Sequence, residues 1–432
     1  MARKMKDSGI EWIGEIPEGW EITRLKYLAD FEPTCDTSYL TDESKITYTP
    51  MECVKNGGFE NRSALYGNLS HTLTPFQNGD IAMAKVTPCF ENGNIAIMDN
   101  LFSGFGLGSS ELFIFRPKSI STRYFFYWLQ NKAFVARACS TMTGTGGLKR
   151  ISPSFIRNCP VHCPSTDEQT KISDYLDAKC SKIGDLLTSV HASIEEYKKL
   201  KQAVITQAVT KGVRGEREMK DSGNPWFGQI PTDWKLSRVG LHFSIILGKM
   251  LCNAPLNDTY TLEPYYCAAD VHFDGVTDGE RKKMWFSPIE KDLYRVSVGD
   301  LLVVEGGAGA GGSAIVEKQD SDTYVQNSIM IVRSKGNADN RYLRYLLEFL
   351  VKQGYIDVVC NKATIPHFTK DKLSCVPFCL CPTGEQKEIA DYLDAKCAEI
   401  DGLIAKKEQL VKELESYKKS LIYEVVTGKR EV

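Results

Sequence analysis

The sequence lacks the features that place a protein in or across a membrane. No apolar run approaches the about 18 residues that a membrane-spanning helix needs. The first residues, Met1-Ala-Arg-Lys-Met-Lys-Asp7, contain no apolar stretch of the kind found in a secretion signal. Because fourteen cysteines occur without such a signal, we expect reduced thiols, a cytoplasmic location and no membrane contact.

Signatures of phosphate binding, hydrolysis and metal binding are also missing. There is no Gly-x-x-x-x-Gly-Lys-Ser/Thr phosphate loop, and the six histidines are scattered without suggesting a catalytic triad. A zinc site needs four neighbouring ligands, whereas Cys159, His162 and Cys163 supply three. Cys375, Cys379 and Cys381 are more typical of small buried apolar residues. We expect no metal, no cofactor and no catalytic residue in this chain.

Excess charge of either sign is absent as well. The chain carries 53 Lys and Arg against 55 Asp and Glu, a net charge of −2. This balance argues against a polybasic, histone-like nucleic-acid binder. It does not exclude local basic surfaces, because binding depends on where the charges lie.

What the sequence does contain is an internal duplication. Asp174-Tyr-Leu-Asp-Ala-Lys-Cys180 returns unchanged at Asp391–Cys397, and the ungapped match extends over about 45 residues. A leading motif is also doubled: Gly14-x-Ile-Pro-x-x-Trp20 returns at Gly228–Trp234. The chain therefore runs leading motif, globule, helix and then the same order again.

Both copies of the longer repeat are typical of long amphipathic helices. Apolar residues recur at heptad spacing, interrupted only by Lys201 and Lys407, so we expect the two helices to pair antiparallel as a coiled coil. The alternative is that they are ordinary core helices of two globular domains. The predicted seam consists of Ile183, Leu187, Val190, Ile194, Tyr197 and Val204 in the first helix and Ile400, Leu403, Leu410, Leu414, Tyr417 and Leu421 in the second.

The segments between leading motif and helix predict two related α+β globules. Gly79-Asp80 and Gly299-Asp300 each precede an apolar run, which indicates a turn followed by a strand. We expect a first globule with its leading motif at 1–165, a first spacer helix at 166–214, a second globule with its leading motif at 215–381 and a second spacer helix at 382–432.

The doubled order of these motifs resembles the specificity subunit of Type I restriction–modification systems. The resemblance covers essentially the whole chain and is carried by the Gly-x-Ile-Pro-x-x-Trp motifs, the Gly-Asp turns and the Glu-Gln-x-x-Ile helix starts at Glu168 and Glu385. It implies two pseudo-symmetric target recognition domains, separated by a pair of long antiparallel coiled-coil helices. Each domain would read one half of a bipartite sequence in double-stranded DNA.

The resemblance also implies partners and a division of labour. Two modification subunits would bind S-adenosylmethionine and methylate adenine, and restriction subunits would use ATP and Mg. The chain itself would do no chemistry. In agreement, it has no Asn/Asp-Pro-Pro-aromatic tetrapeptide of the kind that holds a flipped base, since Asn224-Pro-Trp-Phe227 lacks the second proline.

Candidate DNA contacts lie in loops of both globules. Hydroxyls, glycines and cations without acids, as in Thr141–Ile151, are typical of phosphate contacts, and Asn amides can pair with adenine. The alternatives are solvated loops and turn-forming Asn residues. The glycine run Glu305–Ser313 indicates a mobile hairpin loop or backbone N–H groups that approach phosphates. The candidates are Lys85, Asn92, Asn94, Thr143, Thr145, Lys149, Arg150 and Arg157 in the first globule and Arg281, Lys282, Lys283, Lys362, His367, Lys370 and Lys372 in the second.

Three alternative functions compete with this interpretation, and the sequence argues against one of them. A duplicated coiled-coil scaffold that binds no DNA is favoured slightly by the near-neutral charge. A fused methyltransferase enzyme would need a further domain for which 432 residues leave no room. An orphan or anti-restriction specificity chain would be distinguished only by its neighbouring genes.

Overall fold

The computed structural model of the chain describes residues 3–70, 72–145, 147–318, 321–360 and 366–432. It divides into two compact units. Unit 1 comprises the chain up to His191 together with Glu408–Val432, and unit 2 comprises Ala192–Lys407. Each unit therefore combines one globule with part of both long helices. Within the described ranges, no helix has the length and apolar character needed to cross a membrane.

Unit 1 is a mixed α and β globule. Its strands are β1 (Met5–Asp7), β2 (Glu15–Pro17), β3 (Glu21–Arg24), β4 (Ala29–Phe31), β5 (Lys45–Thr49), β6 (Val54–Lys55), β7 (Gly58–Phe59), β8 (Arg62–Leu65), β9 (Thr74–Gln77), β10 (Asp80–Ala84), β11 (Ile95–Met98), β12 (Phe105–Gly108), β13 (Leu112–Pro117) and β14 (Pro160–Cys163). Its helices are α1 (Leu25–Leu28), α2 (Thr122–Trp128), α3 (Lys132–Ser140), α4 (Pro153–Asn158) and the first part of α5 (Thr166–Lys211).

Unit 2 has a similar order of elements, except that a helix stands where unit 1 has β9. Its strands are β15 (Met219–Asp221), β16 (Gln229–Pro231), β17 (Lys235–Arg238), β18 (Phe243–Leu247), β19 (Thr261–Tyr266), β20 (Val271–His272), β21 (Gly275–Val276), β22 (Lys282–Phe286), β23 (Leu301–Val304), β24 (Ser313–Ile315), β25 (Tyr324–Val325), β26 (Ile329–Ser334) and β27 (Pro377–Leu380). Its helices are α6 (Val239–His242), α7 (Pro288–Tyr294), α8 (Asn340–Lys352), α9 (Tyr355–Val359), α10 (Lys370–Cys375) and most of α11 (Thr383–Val426).

The main sheets of the two units have corresponding topology. In unit 1 an antiparallel sheet has the order β11-β10-β13-β4, and in unit 2 the matching order is β24-β23-β26-β18. The second sheet is β8-β5-β12-β9 in unit 1 and β22-β19-β25 in unit 2, and each contains one parallel pair, β5 with β12 and β19 with β25. The predicted α+β class is confirmed, and so is the duplication.

The Gly-Asp turns before β10 and β23 hold an internal ion pair. Gly79 has a φ of +84°, a backbone conformation that favours glycine. The buried Asp80 carboxylate accepts the backbone N–H of Gln77 at 2.8 Å and the Arg116 guanidinium at 2.7 and 2.8 Å. Asp300 makes the same bonds with Ser297 and Arg333 in unit 2. The turn therefore fixes the start of the central strand in both units.

The long helices complete the core of each unit from opposite ends. In unit 1 the core contains Ile172 and Ile183 of α5 together with Leu421 and Val425 of α11. In unit 2 it contains the late α5 residues Ile205, Ala208 and Val209 and the early α11 residues Ile389, Leu393 and Cys397. Within each unit, the two helices therefore run antiparallel.

The predicted seam is buried or half-buried throughout α5, but in α11 it needs a correction. Leu410 and Tyr417 are 41% and 49% exposed, whereas the neighbouring Val411 is 9% exposed. The buried stripe of α11 continues the heptad that begins at Cys397. It therefore passes through Val411 and Lys418, one residue beyond the predicted Leu410 and Tyr417. The predicted α5 residues that lie in the stripe are Ile183, Leu187, Val190, Ile194, Tyr197 and Val204, and the α11 residues are Ile400, Leu414 and Leu421. The predicted Leu403 is half-buried but lies one residue before the stripe position 404.

The two lysines that interrupt the seam have specific partners in unit 2. Lys201 donates to both carboxylate oxygens of Asp401 at 2.9 and 2.7 Å. The Lys407 ammonium lies 5.6 Å from the centre of the Tyr197 ring. A charged head group is thus matched at each interruption while the aliphatic stem stays in the stripe.

Candidate nucleic-acid interfaces

The leading motif ties each globule to its long helix. In unit 1 the indole Nε1 of the buried Trp20 donates to Glu168 Oε2 at 2.9 Å, and in unit 2 Trp234 donates to Glu385 Oε2 at 3.3 Å. The glutamine beside each glutamate accepts a backbone N–H at the start of a helix of the globule. Gln169 Oε1 accepts from Ser121 N at 2.8 Å, just before α2, and Gln386 Oε1 accepts from Asp339 N at 3.0 Å, just before α8. The Trp and Glu-Gln motifs therefore contact each other and together attach each globule to its long helix.

Two loops of unit 1 lie side by side at the end of β10. One runs from Lys85 to Asn94 and connects β10 with β11, and the other is the predicted phosphate loop around Thr143. Ile151 N donates to Lys85 O at 3.0 Å and Thr87 N donates to Lys149 O at 2.9 Å. The structure thus brings Lys85, Thr143, Thr145, Lys149 and Arg150 together on one pair of loops.

Some side chains of this loop pair are exposed to solvent, and others are held by contacts within the protein. Thr143, Thr145 and Lys149 are exposed. Lys85 is half-buried, with its ammonium 5.3 Å from the centre of the Phe113 ring. Arg150 is held by a forked ion pair with Glu111, from Nε to Oε2 at 2.9 Å and from Nη2 to Oε1 at 2.6 Å. The Arg150 hydrogen bonds keep the pKa of the Glu111 carboxyl below its ordinary value, so the pair stays charged.

Asn92 and Asn94 face a different part of unit 1. They line a cavity of about 720 Å³ between the globule and the long helices, where Gly184, Leu187 and Lys418 form the opposite wall. Asn94 also closes the loop, because its N–H donates to Cys89 O and its carbonyl accepts Ala84 N. Their predicted pairing with adenine stays a prediction.

Arg157 lies apart from the loop pair, in α4. Its side chain is 52% exposed, its guanidinium stacks 5.0 Å from the Phe31 ring centre, and Glu32 lies 4.0 Å away. It is an exposed cation on a neighbouring surface, with no contact to the two loops among the described residues.

The corresponding two loops of unit 2 have the same backbone pairing. Phe368 N donates to Glu305 O at 2.6 Å, and Gly307 N donates to Pro366 O at 3.1 Å. The glycine run therefore occupies the place of the Lys85–Asn94 loop. The positions matched by these hydrogen bonds and by the isolated bridges are Lys85 with Glu305, Thr87 with Gly307, Glu111 with Ser328, Lys149 with Pro366 and Arg150 with His367.

The predicted cations near this loop have unequal roles. His367 is 61% exposed, and its Nδ1 lies 3.7 Å from Glu305 Oε2. Lys372 donates to the His367 carbonyl at 2.7 Å and so supports the loop. Lys370 is exposed at the start of α10. Lys362 lies outside the described residues.

The Arg281–Lys283 run does not form one basic surface. Arg281 is 15% exposed, lies 3.3 Å from an Asp270 carboxylate oxygen and stacks 4.6 Å from the Tyr266 ring centre. Its guanidinium is therefore used inside the globule. Lys282 and Lys283 are exposed on β22, and their role in DNA binding stays a prediction.

The cysteines and histidines show no metal geometry. All fourteen cysteines are free thiols, and in the described part of the chain no three His, Cys, Asp or Glu side chains are placed to hold an ion. Burial raises the pKa of the Cys159 and Cys379 thiols to about 12, as expected of packed apolar positions.

Comparison with known proteins assigns the family. Residues 17–196 and 232–413 both match the Type I restriction modification DNA specificity domain. The chain belongs to this family. Each match includes the globule of one unit and much of the long helix that follows it.

The relatives differ in how much they share with the chain. The EcoEI type I restriction enzyme specificity subunit of Escherichia coli is 35% identical over 163 residues, which cover 37% of this chain and only 27% of the relative. The putative MjaX specificity subunit of Methanocaldococcus jannaschii is 25% identical over 443 residues, covering 96% of this chain and 95% of the relative. Both are described as specificity subunits.

A solved structure extends the comparison to the fold. A chain from work on complex assembly and conformational transition of the type I R-M system superposes with a TM-score of 0.73 at 17% identity, covering 96% of this chain and 99% of that chain. At this identity the likeness shows a shared fold.

Sequence reasoning missed the carboxylates of the two loop pairs. Glu111 lies 39 residues before Arg150 and on another element, so no local pattern connects them. Glu305 was included only as the first residue of a glycine run. The doubled backbone frame is the signal that identifies both.

Proposed function

We propose that the chain is the DNA-reading subunit of a Type I restriction–modification complex and that each unit reads one half of a bipartite target. The observation that carries this proposal is the loop pair at the end of the central strand in each unit. The backbone hydrogen bonds of the pair match in both units, while the side chains on it differ. One scaffold with two sets of exposed side chains is what reading two dissimilar half-sites requires.

The exposed chemistry of the loops supports contact with a duplex. In unit 1, Thr143 and Thr145 present hydroxyls, and Lys149 presents an ammonium that has no carboxylate partner among the described residues, which suits phosphate oxygens. In unit 2, the half-buried Gly306 and the exposed Gly309 let the backbone of the matching loop come close to a phosphate, whereas Gly307, Gly311 and Gly312 donate their N–H groups to carbonyls of the protein itself. Phosphate contacts would position each unit, and a few side chains would read base edges.

The proposal assigns the chemistry to partners. Two modification subunits would supply S-adenosylmethionine-dependent adenine methylation, and restriction subunits would supply ATP- and Mg-dependent cleavage. The contribution of this chain would be to choose the site at which the partners act.

The test is to map methylated adenines genome-wide in cells with and without the gene. We expect one bipartite motif, with an undefined spacer between two defined halves, to lose methylation when the gene is removed. A matched control restores the gene with the 306–312 loop replaced by its unit 1 counterpart, 86–94, which should change one half of the motif only. A methylome unaltered by deletion would contradict the proposal.

A binding measurement separates DNA reading from a protein-scaffold role. The complex of this chain with its modification subunits should bind target duplex with an affinity that falls steeply as salt rises, because phosphate contacts release counterions. Assembly of the complex with no salt-dependent DNA binding would favour the scaffold.

A further inference from the structure

One basic side chain in each unit occupies the same position of the loop pair and has a carboxylate on one side. In unit 1 this residue is Arg150, whose backbone pairs with that of Val86 in the facing loop as an antiparallel β-bridge. In unit 2 it is His367, whose backbone bridges Gly306. The carboxylates come from different places, since Glu111 precedes β13 and Glu305 follows β23. The same arrangement is therefore built twice from unrelated residues.

The geometry leaves the reading edge of Arg150 unobstructed. Glu111 takes the Nε and Nη2 side of the guanidinium, and no hydrogen bond to Nη1 is made by the described residues. The side chain of Arg150 is 48% exposed and that of Glu111 is 30% exposed. Because the guanidinium is planar, a carboxylate on one edge fixes the direction of the opposite pair of N–H groups.

A phosphate anchor would be built differently. Lys149, next to Arg150, is exposed and its ammonium has no carboxylate partner among the described residues. Arg150 instead has its charge largely balanced by Glu111, which weakens attraction to phosphate but preserves a directed pair of donors. Two parallel donors match O6 and N7 of guanine in the major groove.

The His367 arrangement is similar, but it offers one ring nitrogen to a base instead of two parallel N–H groups. Its Nδ1 faces Glu305 Oε2 at 3.7 Å, and the imidazole is 61% exposed. Glu305 therefore lies on the Nδ1 side of the ring, and the opposite ring nitrogen, Nε2, remains for one hydrogen bond. If Nε2 carries the hydrogen it donates to N7 of a purine, and if it does not it accepts from the N6 amino group of adenine, so either tautomer suits a purine.

We propose that Arg150 and His367 are the matched base-reading residues of the two units, with Arg150 selecting a guanine in one half-site and His367 a purine in the other. This inference rests on the proposed function. Glu111 and Glu305 are positioning residues that aim the two side chains.

The test uses complexes of the full chain with its modification subunits and maps the methylated motif for each variant. Arg150→Ala should relax a single letter of one half-site, reducing discrimination there by roughly 5- to 150-fold, and leave the other half-site unchanged. Arg150→Lys should also lose the letter while retaining more affinity, because a point charge cannot donate bidentately. Glu111→Gln should weaken the same letter only.

Two controls separate base reading from phosphate contact and from misfolding. Lys149→Ala should weaken binding to all duplexes alike and reduce the salt slope by about 1. His367→Ala should relax one letter of the other half-site, so the two units report independently.

The outcomes are distinguishable. A uniform loss of affinity with all letters kept in Arg150→Ala would make Arg150 a phosphate contact and overturn the proposal. An unchanged motif and affinity would place it outside the interface and also overturn it. Absence of any bipartite motif with the unaltered chain would instead overturn the proposed function.

Discussion

The Tyr127 hydroxyl donates a 2.7 Å hydrogen bond to Asp177 Oδ1, and Tyr345 donates a bond of the same length to Asp394. Each aspartate belongs to the seven-residue sequence that occurs twice in the chain. An arginine four residues before each tyrosine pairs with the same carboxylate, as Arg123 does at 2.8 Å in unit 1. The repeat is therefore a docking sequence for the helix of the globule, which explains why identical letters serve two otherwise dissimilar domains.

Removing this hydroxyl should cost the same in both units. Tyr127→Phe and Tyr345→Phe should each lower the free energy of unfolding by about 1 kcal/mol, because a hydrogen bond to a charged but partly exposed carboxylate is lost. Tyr27→Phe, at a residue that is 63% exposed, is the control and should change it by less than about 0.5 kcal/mol. Denaturant unfolding with hydrogen exchange of α2 and α8 measures the effect. An effect confined to one unit would contradict the equivalence.

The corrected seam predicts opposite behaviour for two neighbouring residues of α11. Val411→Ala should destabilise by about 1–2 kcal/mol, since Val411 is 9% exposed and its methyl groups leave a gap in the stripe. Leu410→Ala should cost less than about 0.5 kcal/mol because Leu410 is 41% exposed. The reverse order in thermal or denaturant unfolding would restore the seam first predicted from the sequence.

Lys201 should be worth more than an ordinary surface lysine. Its side chain is 14% exposed and its partner Asp401 is 50% exposed. Burial works to lower the pKa of Lys201, but the hydrogen bonds and charge of Asp401 outweigh burial, so the pKa is raised. We expect Lys201→Ala to lower the free energy of unfolding by about 1–2 kcal/mol, a value reduced by the exposure of Asp401.

Two variants control the Lys201 measurement. Lys198→Ala removes a pair with Glu195 in which both side chains are more than half exposed, and it should change the free energy by less than about 0.5 kcal/mol. Lys201→Met keeps the apolar stem and should recover part of the loss. Equal losses for Lys198→Ala and Lys201→Ala would show that the Asp401 pair adds nothing.

His162 should make unit 1 sensitive to mild acid. It is buried, stacks 5.7 Å from the Trp20 ring and donates from Nε2 to Val426 O at 2.8 Å. Burial lowers the pKa of His162 to about 4. Below its ordinary pKa of about 6.5, the unfolded state takes up a proton that the folded state refuses, so stability falls as the pH drops from about 6.5 towards 4.

The expected size follows from this linkage. Between pH 7.5 and 5.5, His162 should remove roughly 1.4 kcal/mol from the free energy of unfolding. His162→Gln should lose that pH-dependent part, whereas His191→Gln, at an exposed position on α5, should keep it. Denaturant unfolding at the two pH values gives the comparison. Identical pH slopes for His162→Gln and the unaltered chain would show that another group causes the acid sensitivity.

The sequence predicted more of the fold than of the site. The fold elements follow from local patterns, whereas the site depends on contacts between residues far apart in the chain. The heptads, the Gly-Asp turns and the doubled motifs are local patterns, and the elements they predict are present. The error at Leu410 arose because residues 410 and 411 are both apolar, while Lys407 and Lys418 occupy stripe positions. Only the continuous register from Cys397 decides between the two.

The side-chain partners of the site were beyond such patterns. Arg281 belongs to a basic run in sequence, but its guanidinium turns inward to Asp270 and Tyr266 while its neighbours stay exposed. Arg150 was predicted as a phosphate contact, and its pairing with Glu111 depends on the pairing of two loops. The sequence shows where the basic residues are. Only the fold shows which of them pair with a carboxylate inside the protein.

The division of both long helices between the units provides a test of the spacer role expected from the sequence. The boundary of unit 1 falls after His191 in α5 and before Glu408 in α11. Seven residues inserted at both points would preserve the apolar stripe, because a heptad returns each helix to the same face, and would leave both globules unaltered. We expect methylome mapping to show the same two half-sites with a different number of undefined bases between them. Insertion in α5 alone should abolish methylation, since the stripes of the two helices would then be out of register. Altered half-site letters, or an unchanged spacer in the doubly extended chain, would contradict the role of the helix pair in setting the distance.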